Sequence, residues 1–530
     1  MQITCLGASG HVTGSAFLIE NEGFYLVDCG LFQGGRQMEA LNRQNWGFHP
    51  RDIRALFLTH AHIDHCGRIP KLVKDGFRGK IYATPATIEL CRILLLDSAH
   101  IQEMDAEWQT RKSRRAGDAA VDPLYTVQDV EACLPRFEAV RNGETLQIDA
   151  EVQVRFRNAG HILGASILEL WSGTGANAYK VVYSGDLGRK DQLIVQDPQT
   201  VFNADALFIE STYGNRNHRS FEESREELRN AIHYSYQHKE KILIPAFAVE
   251  RTQEILYILG EFFRNGEIPS MPVYLDSPLA IAATEIFRKM SDQLDEDAMA
   301  IVNRGQDPFG FPQLIFSRTS QESVEINHKP GPAIILAGNG MCTAGRIKHH
   351  LKHNLWRPGS SLVIVGFQAE GTVGRKLVDG AQTVRIFGEM IAVKAKVFTI
   401  GGFSAHADQT DLLTWLGHFE NRNMRVFVIH GERSISEEFA KVVRERLGFE
   451  TSVPSLGDVI RLTSKAPPID VAAVAKLAWP DQFTQFTRNV EALKALYNQT
   501  PDAVPGELLK KLAQHLEPVT EELDQILRGH

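Results

Sequence analysis

The sequence predicts an α/β protein in which one layered domain is interrupted by a second and followed by a short helical tail. Three observations carry that expectation. The first half of the chain holds short β-rich runs punctuated by glycine and polar residues, with helical stretches between them. From about Phe221 the pattern becomes a regular strand–helix alternation of the kind that builds a parallel sheet. Near Arg385 strand-like runs of the earlier kind return, as though the chain re-enters the domain it left. The length of 530 residues agrees, since single cores stop growing well below it.

In chain order, the expected strands of the first half are Phe24–Asp28, Arg54–His60, Lys80–Pro85, Val152–Phe156, Ala165–Leu170, Lys180–Asp186 and Ala206–Ser211. Several are continuous apolar runs, as strands buried between layers require. Helical stretches fall at Thr87–Glu107 and Val127–Phe137. A helix at Phe221–Gln237 then leads to a strand at Ile242–Pro245, a helix at Arg251–Phe263 and a strand at Val273–Asp276. Ala333–Ala337, a helix around Ile347–Leu355 and the strand Ser361–Val365 continue that series. After the turn Ala466–Pro468, apolar residues recur at helical spacing in Leu493–Leu496–Tyr497, in Leu508–Leu509–Leu512–Leu516 and in Val519–Leu523–Ile526–Leu527. This tail is read as packing or self-association surface ahead of a substrate role.

Composition narrows the function classes. Hydrophobic residues make up 43% and charged residues 23%, which is ordinary globular usage. Six scattered cysteines without a CxxC pair speak against a disulfide framework and a cysteine zinc site, and fit a reducing compartment. The start MQITCLGASG has no basic or apolar leader region, and no apolar run approaches the roughly 20 residues that span a bilayer. A soluble cytoplasmic protein with no membrane partner is therefore expected. A net charge of −8 lowers the expectation of tight non-specific polyanion binding, without bearing on catalysis.

The chemistry is concentrated in Thr59-His60-Ala61-His62-Ile63-Asp64-His65, directly after an apolar strand. Four ligand-type side chains within six positions at a sheet edge form a metal set: His60 and His62 can face one ion while Asp64 and His65 turn to a second. His161 and Asp186 each follow a strand and complete such a site, and a carboxylate at Asp186 can bridge two zinc ions. Asp28, at the end of Phe24–Asp28, is read as orienting a ligand histidine or its loop, the alternative being a turn aspartate.

LVDCG (residues 26–30), the His60–His65 motif, Gly160-His161 and Ser184-Gly185-Asp186 resemble, in order, the motifs of the metallo-β-lactamase superfamily. Ile209-Glu210-Ser211-Thr212-Tyr213-Gly214, Gly402-Phe403-Ser404-Ala405-His406-Ala407-Asp408 and Val428-Ile429-His430-Gly431-Glu432 resemble the three signatures of the β-CASP nucleases. That family includes the pre-mRNA 3′-end cleavage endonuclease and its prokaryotic homologues.

The resemblance covers residues 1 to about 465 and implies an αββα sandwich carrying an inserted parallel-sheet domain. Expected boundaries are 1–208 and 385–465 for the sandwich, 209–384 for the insertion and 466–530 for the tail. It further implies two zinc ions, one held by His60, His62 and His161, the other by Asp64, His65 and His430, with Asp186 between them. His406, paired with Glu210, is implied as the general acid that protonates the leaving oxygen, a role phosphodiester cleavage needs at neutral pH. The implied function is hydrolysis of single-stranded RNA by a metal-bound hydroxide; the sequence leaves room for a homodimer.

Three turns in the insertion offer phosphate ligands: Pro245–Thr252 with Arg251, Gly338–Met341 leading to Arg346, and Gly371–Gly374 leading to Arg375 and Lys376. Each serves equally to cap the helix that follows. His349, His350 and His353 read as a solvated helix face, because no acidic residue accompanies them. Two rivals remain. A hydrolase of small esters is disfavoured by the arginine-bearing insertion, and a catalytically dead scaffold by the complete ligand set.

Overall fold

The computed structural model describes residues 1–116, 120–173, 178–366, 368, 369 and 371–462. The helical tail expected at 466–530 lies outside these residues.

Alternation along the strands explains the layers. Tyr25, Val27, Ala55 and Phe57 point inward, while Leu26 and Leu56 point to the opposite face, so both faces are apolar and the strands read as unbroken hydrophobic runs. The first sheet runs Val459–Arg461, Gln2–Cys5, Phe17–Glu20, Phe24–Val27, Ile53–Phe57, Lys80–Ala83 and Phe137–Ala139. The second runs Glu450–Ser452, Arg425–Val428, Ala206–Ile209, Tyr179–Tyr183, Ser166–Ser172, Val152–Asn158 and Thr145–Gln147. Between them lies a core that joins Phe17, Tyr25 and Phe57 to Phe156, Tyr183 and Phe208. Helices such as Pro85–Ala116 and Val127–Cys133, and Gln409–Gly417 and Arg433–Leu447, supply the outer layers, giving αββα.

An inserted six-stranded parallel sheet runs Leu314–Phe316, Val273–Leu275, Ala333–Ala337, Lys241–Pro245, Ser361–Ile364 and Lys396–Thr399. The last strand corrects the expected boundary at 384/385. Lys396–Thr399 pairs with Ser361–Ile364, and Thr383–Ile386 forms a hairpin with Glu389–Ala392, so neither returns the chain to the sandwich. Re-entry comes with Gln409–Gly417 and Arg425–Val428, which pack on or pair within the sandwich. A strand-like run reports that a strand forms; it does not report which sheet it joins, and Lys396–Thr399 sits at the edge of the inserted sheet with exposed ends.

Smaller differences have local causes. The helix expected over Val127–Phe137 ends at Cys133, and a 3-10 turn with Pro135 early in it precedes the strand Phe137–Ala139. The strand expected over Arg54–His60 stops at Phe57, because its last residues leave the ladder to reach the site. Among the described residues no helix is long and apolar enough to cross a membrane.

Topology delivers the site. Ala206–Ile209 pairs in parallel with both Tyr179–Tyr183 and Arg425–Val428, which sets the segments carrying Asp186, Glu210 and His430 side by side at one sheet edge. In the facing sheet, the parallel strands Phe24–Val27 and Ile53–Phe57 end at Asp28 and at Thr59-His60. Close approach between these loops demands glycine at one point: a Cβ on Gly30 would lie 1.6 Å from the Asp64 carbonyl oxygen. Gly30→Ala is therefore expected to push the turn carrying Asp64 and His65 aside and to destabilise the fold by about 3 kcal/mol, as overpacking against rigid backbone does. Thermal unfolding with metal analysis reads this; an unchanged Tm and metal content would contradict it.

Candidate metal centre

His62 caps the one-turn helix Ile63–Cys66, which carries Asp64 and His65, so three ligand-type residues fall within a single turn. Asp28 holds that turn. Its carboxylate accepts from the Thr59 N–H (2.8 Å), the Thr59 hydroxyl (3.0 Å) and the Ser15 hydroxyl (3.1 Å), and faces His65 Nδ1 at 2.7 Å. With Nδ1 so engaged, His65 presents Nε2 to the cluster, as a carboxylate partner does for a metal-binding histidine. Asp28 and His430 both adopt positive φ (59° and 48°), and the His430 N–H is fixed by the Ala8 carbonyl at 2.7 Å. Sequence reading missed Ser15 and Thr59; the position of Thr59 immediately before His60 was the available signal.

Two groups of donor atoms converge. In the first, His62 Nδ1 lies 3.1 Å from His60 Nε2 and 3.2 Å from His161 Nε2, and Asp186 Oδ2 lies 3.5 and 3.6 Å from the same two Nε2 atoms. In the second, His65 Nε2 and His430 Nε2 are 3.1 Å apart, with Asp64 Oδ2 3.5 Å from His430 and Asp186 Oδ1 3.3 Å from His65. Tetrahedral coordination with bonds of about 2.0–2.1 Å has donor–donor edges of about 3.3 Å, so both groups match a small cation's shell. Asp186 Oδ1 is buried and accepts no hydrogen bond, a costly state that a cation relieves. The seven residues thus fit a metal, with Asp186 facing both groups.

Charge follows the same division. Burial pushes the His62 pKa down to about 3 and lowers those of His60 and His161, so these rings keep a lone pair to offer. Burial works against the Asp186 carboxylate, but His430, His65 and His60 outweigh it and hold the pKa well below the usual range. His65 and His430 also resist burial: their pKa values are raised, chiefly by Asp186, with Asp28 and Asp64 respectively helping.

Beside the cluster stands a third group. His406 Nδ1 lies 3.3 Å from Glu210 and 4.0 Å from Asp186 Oδ2. Glu210 is fully buried and anchored by the Leu187 N–H (2.6 Å) and the Thr212 N–H (3.3 Å). Burial lowers the His406 pKa, and Glu210, by charge and hydrogen bond, overrides it to about 9. The His406 side chain remains 22% exposed, as does that of Asp64, whereas the side chains of His60, His65, His161, Asp186 and His430 are at most 5% exposed. His218, which sequence reading missed, meets the His406 carbonyl through Nε2 at 2.9 Å.

The expected phosphate ligands divide. Arg375 and Lys376 are exposed, Arg375 beside Asp379 at 2.9 Å. Arg251 and Arg346 are corrected: neither presents a free guanidinium. Arg251 is 8% exposed and pairs with Glu254, one helical turn on. Arg346 binds Asp276 at 2.6 Å and the carbonyls of Ser317 and Arg318. A guanidinium taken from water needs a carboxylate, and here the fold provides it internally. His350 is corrected as well. His349 and His353 are solvated, but His350 is buried with Nε2 2.7 Å from Asp276, an acidic partner 74 residues away that no local pattern reveals.

Comparison with known proteins agrees with this geometry. Residues 10–92 match the profile of the metallo-beta-lactamase superfamily, residues 252–377 that of the Beta-Casp domain, and residues 390–454 that of a Zn-dependent metallo-hydrolase RNA specificity domain. The chain is 37% identical over 459 residues to ribonuclease TTHA0252 of Thermus thermophilus, covering 86% of this chain and 99% of that one. It is 32% identical over 488 residues to the transcription termination factor FttA of Pyrococcus horikoshii, covering 87% and 71%. With FttA of Methanocaldococcus jannaschii it shares 30% over 474 residues, covering 87% and 72%.

Asp28→Asn is expected to weaken metal uptake on the His65 side about 10- to 100-fold, the usual effect of losing a ligand's carboxylate partner. The His60–His62–His161 side should stay loaded. Metal per chain, titrated against a chelator buffer, reads the difference; uniform loss from both sides, or from neither, contradicts this role.

Proposed function

Because the chain belongs to the β-CASP family of metallo-β-lactamase-fold ribonucleases, metal-dependent hydrolases acting on RNA, we propose that it cleaves single-stranded RNA with two zinc ions and His406 as general acid. The observation that carries this reading is the His406–Glu210 pair, set beside the donor cluster with His406 4.0 Å from the carboxylate that both donor groups face.

His60, His62, His161 and Asp186 would hold one ion, and Asp64, His65, His430 and Asp186 the other. Such ions supply an activated water at neutral pH and neutralise phosphate charge. Asp186 keeps its two oxygens turned to the two groups, and Asp28 keeps His65 from rotating out of its own. Water adds to phosphorus and gives up a proton as the bond from phosphorus to the ribose 3′-oxygen breaks; that released proton restores the one His406 donates. With Nδ1 facing Glu210, His406 has its Nε2 proton to give to that oxygen, and the Glu210 carboxylate favours the protonated ring. A 5′-phosphate and a 3′-hydroxyl result.

Burial of five of the seven donors supports a single-stranded substrate, since a flexible strand can bring one phosphate close to them more readily than a rigid duplex. Arg375 and Lys376 are the exposed cations proposed to hold the strand, and Arg251 and Arg346 are not. Six unpaired, buried cysteines support a cytoplasmic setting.

His406→Ala is expected to slow cleavage of end-labelled single-stranded RNA by about 100- to 10,000-fold with metal retained, the range of a lost general acid. His62→Ala should lose metal and activity together. Sequencing gels with metal analysis of the same samples report both. Full activity in His406→Ala, or intact RNA alongside zinc-dependent hydrolysis of a small ester, contradicts the reading.

A further inference from the structure

In Pro245-Ala246-Phe247-Ala248-Val249-Glu250-Arg251, the apolar residues are treated unequally. Lys241–Pro245 is wholly buried in the middle of the parallel sheet, between Ala333–Ala337 and Ser361–Ile364. Ala246 and Val249 are 2% and 4% exposed, yet Phe247 between them is 44% exposed. This phenylalanine sits where the strand leaves the carboxyl edge of the sheet, the side on which open α/β sheets bind their ligands.

Its surroundings hold it still. The Thr252 hydroxyl donates to the Phe247 carbonyl at 2.6 Å, and the Gln253 amide to the Ala248 carbonyl at 3.1 Å. Gly340 lies against the ring: a Cβ there would meet Phe247 Cδ2 and Cε2 at 3.1 Å. Gln368 in turn donates to the Gly340 carbonyl at 2.9 Å. One side of the ring is therefore braced by backbone, and much of the remainder faces solvent.

The same turn reaches the metal centre. Three residues on, Glu250 is buried with φ 67°, and its Oε2 accepts from the Leu163 N–H at 3.2 Å, two residues beyond His161. A rigid, half-exposed aromatic ring is thus tied by one short turn to the loop that presents a metal-binding histidine.

We propose that Phe247 is a stacking platform for one unpaired base of the RNA substrate, near the scissile phosphate. The proposal rests on the single-strand ribonuclease reading and adds a contact to a base where the rest of the site handles phosphate. Every base has a π-face, so such a platform demands an unpaired nucleotide and tolerates any sequence.

The test is an abasic scan. Oligoribonucleotides with one base removed at each position around the cut are compared for wild type, Phe247→Ala, Phe247→Leu and Phe247→Trp, with metal content measured for each. Wild type is expected to lose about 5- to 150-fold in kcat/KM at one position, the equivalent of the stacking of a single base. Phe247→Ala and Phe247→Leu should show that loss on intact RNA and be indifferent to the abasic residue there, while Phe247→Trp behaves as wild type. Leucine keeps the apolar bulk, so its failure isolates the aromatic face. Variants that discriminate abasic positions as wild type does, or that lose rate equally on every substrate, overturn the platform. Wild type that cuts intact RNA without sensing any missing base overturns it too, and no cleavage of RNA at all overturns the ribonuclease reading along with it.

Discussion

Two imidazole nitrogens, on His65 and His430, stand 3.1 Å apart although 365 residues separate them in the chain. Around them, further histidines and carboxylates crowd together, most of them buried and His62 and Asp64 half-buried. In a low dielectric such a group is costly unless a cation organises it, and most of the local architecture follows from that requirement. Positive φ at Asp28 and His430, the glycine at position 30 and the bonds that fix Asp28 bring donors from different strands to one point.

The insertion uses the same edge. Ala206–Ile209 and Arg425–Val428 are neighbours in one sheet, so the chain leaves the sandwich and returns within one strand spacing. Glu210 stands at the exit, His430 at the return, and His406 on the way back. The His406–Glu210 pair and one member of the donor cluster are thus assembled by the act of inserting a domain. Glu250 adds a second tie, from the inserted sheet to the loop after His161. Geometry at the donor cluster and the position of the insertion are therefore coupled.

Much of this was legible in the residues. The Thr59–His65 run, His161, Asp186 and His430 each follow an apolar strand, and strand ends at a shared edge converge. Elements with strong local patterns, such as Phe221–Gln237 and Ala333–Ala337, have the expected bounds. What failed to show depends on partners distant in sequence or on the choice among sheets. Lys396–Thr399 has a strand's pattern whichever sheet it joins. Arg346 and His350 look free until Asp276 is brought to them. The role of Thr59 on Asp28 requires knowing that two parallel strands end together, and the exposure of Phe247 requires knowing what leaves it uncovered.

The central claim is that one carboxylate, Asp186, joins two metal sites. Anomalous diffraction from zinc-loaded crystals, recorded on both sides of the zinc absorption edge, tests it most directly. The account predicts two peaks about 3.5–4 Å apart, one amid His60, His62 and His161, the other amid Asp64, His65 and His430, each in contact with Asp186. A single peak, or peaks that do not share Asp186, would contradict it.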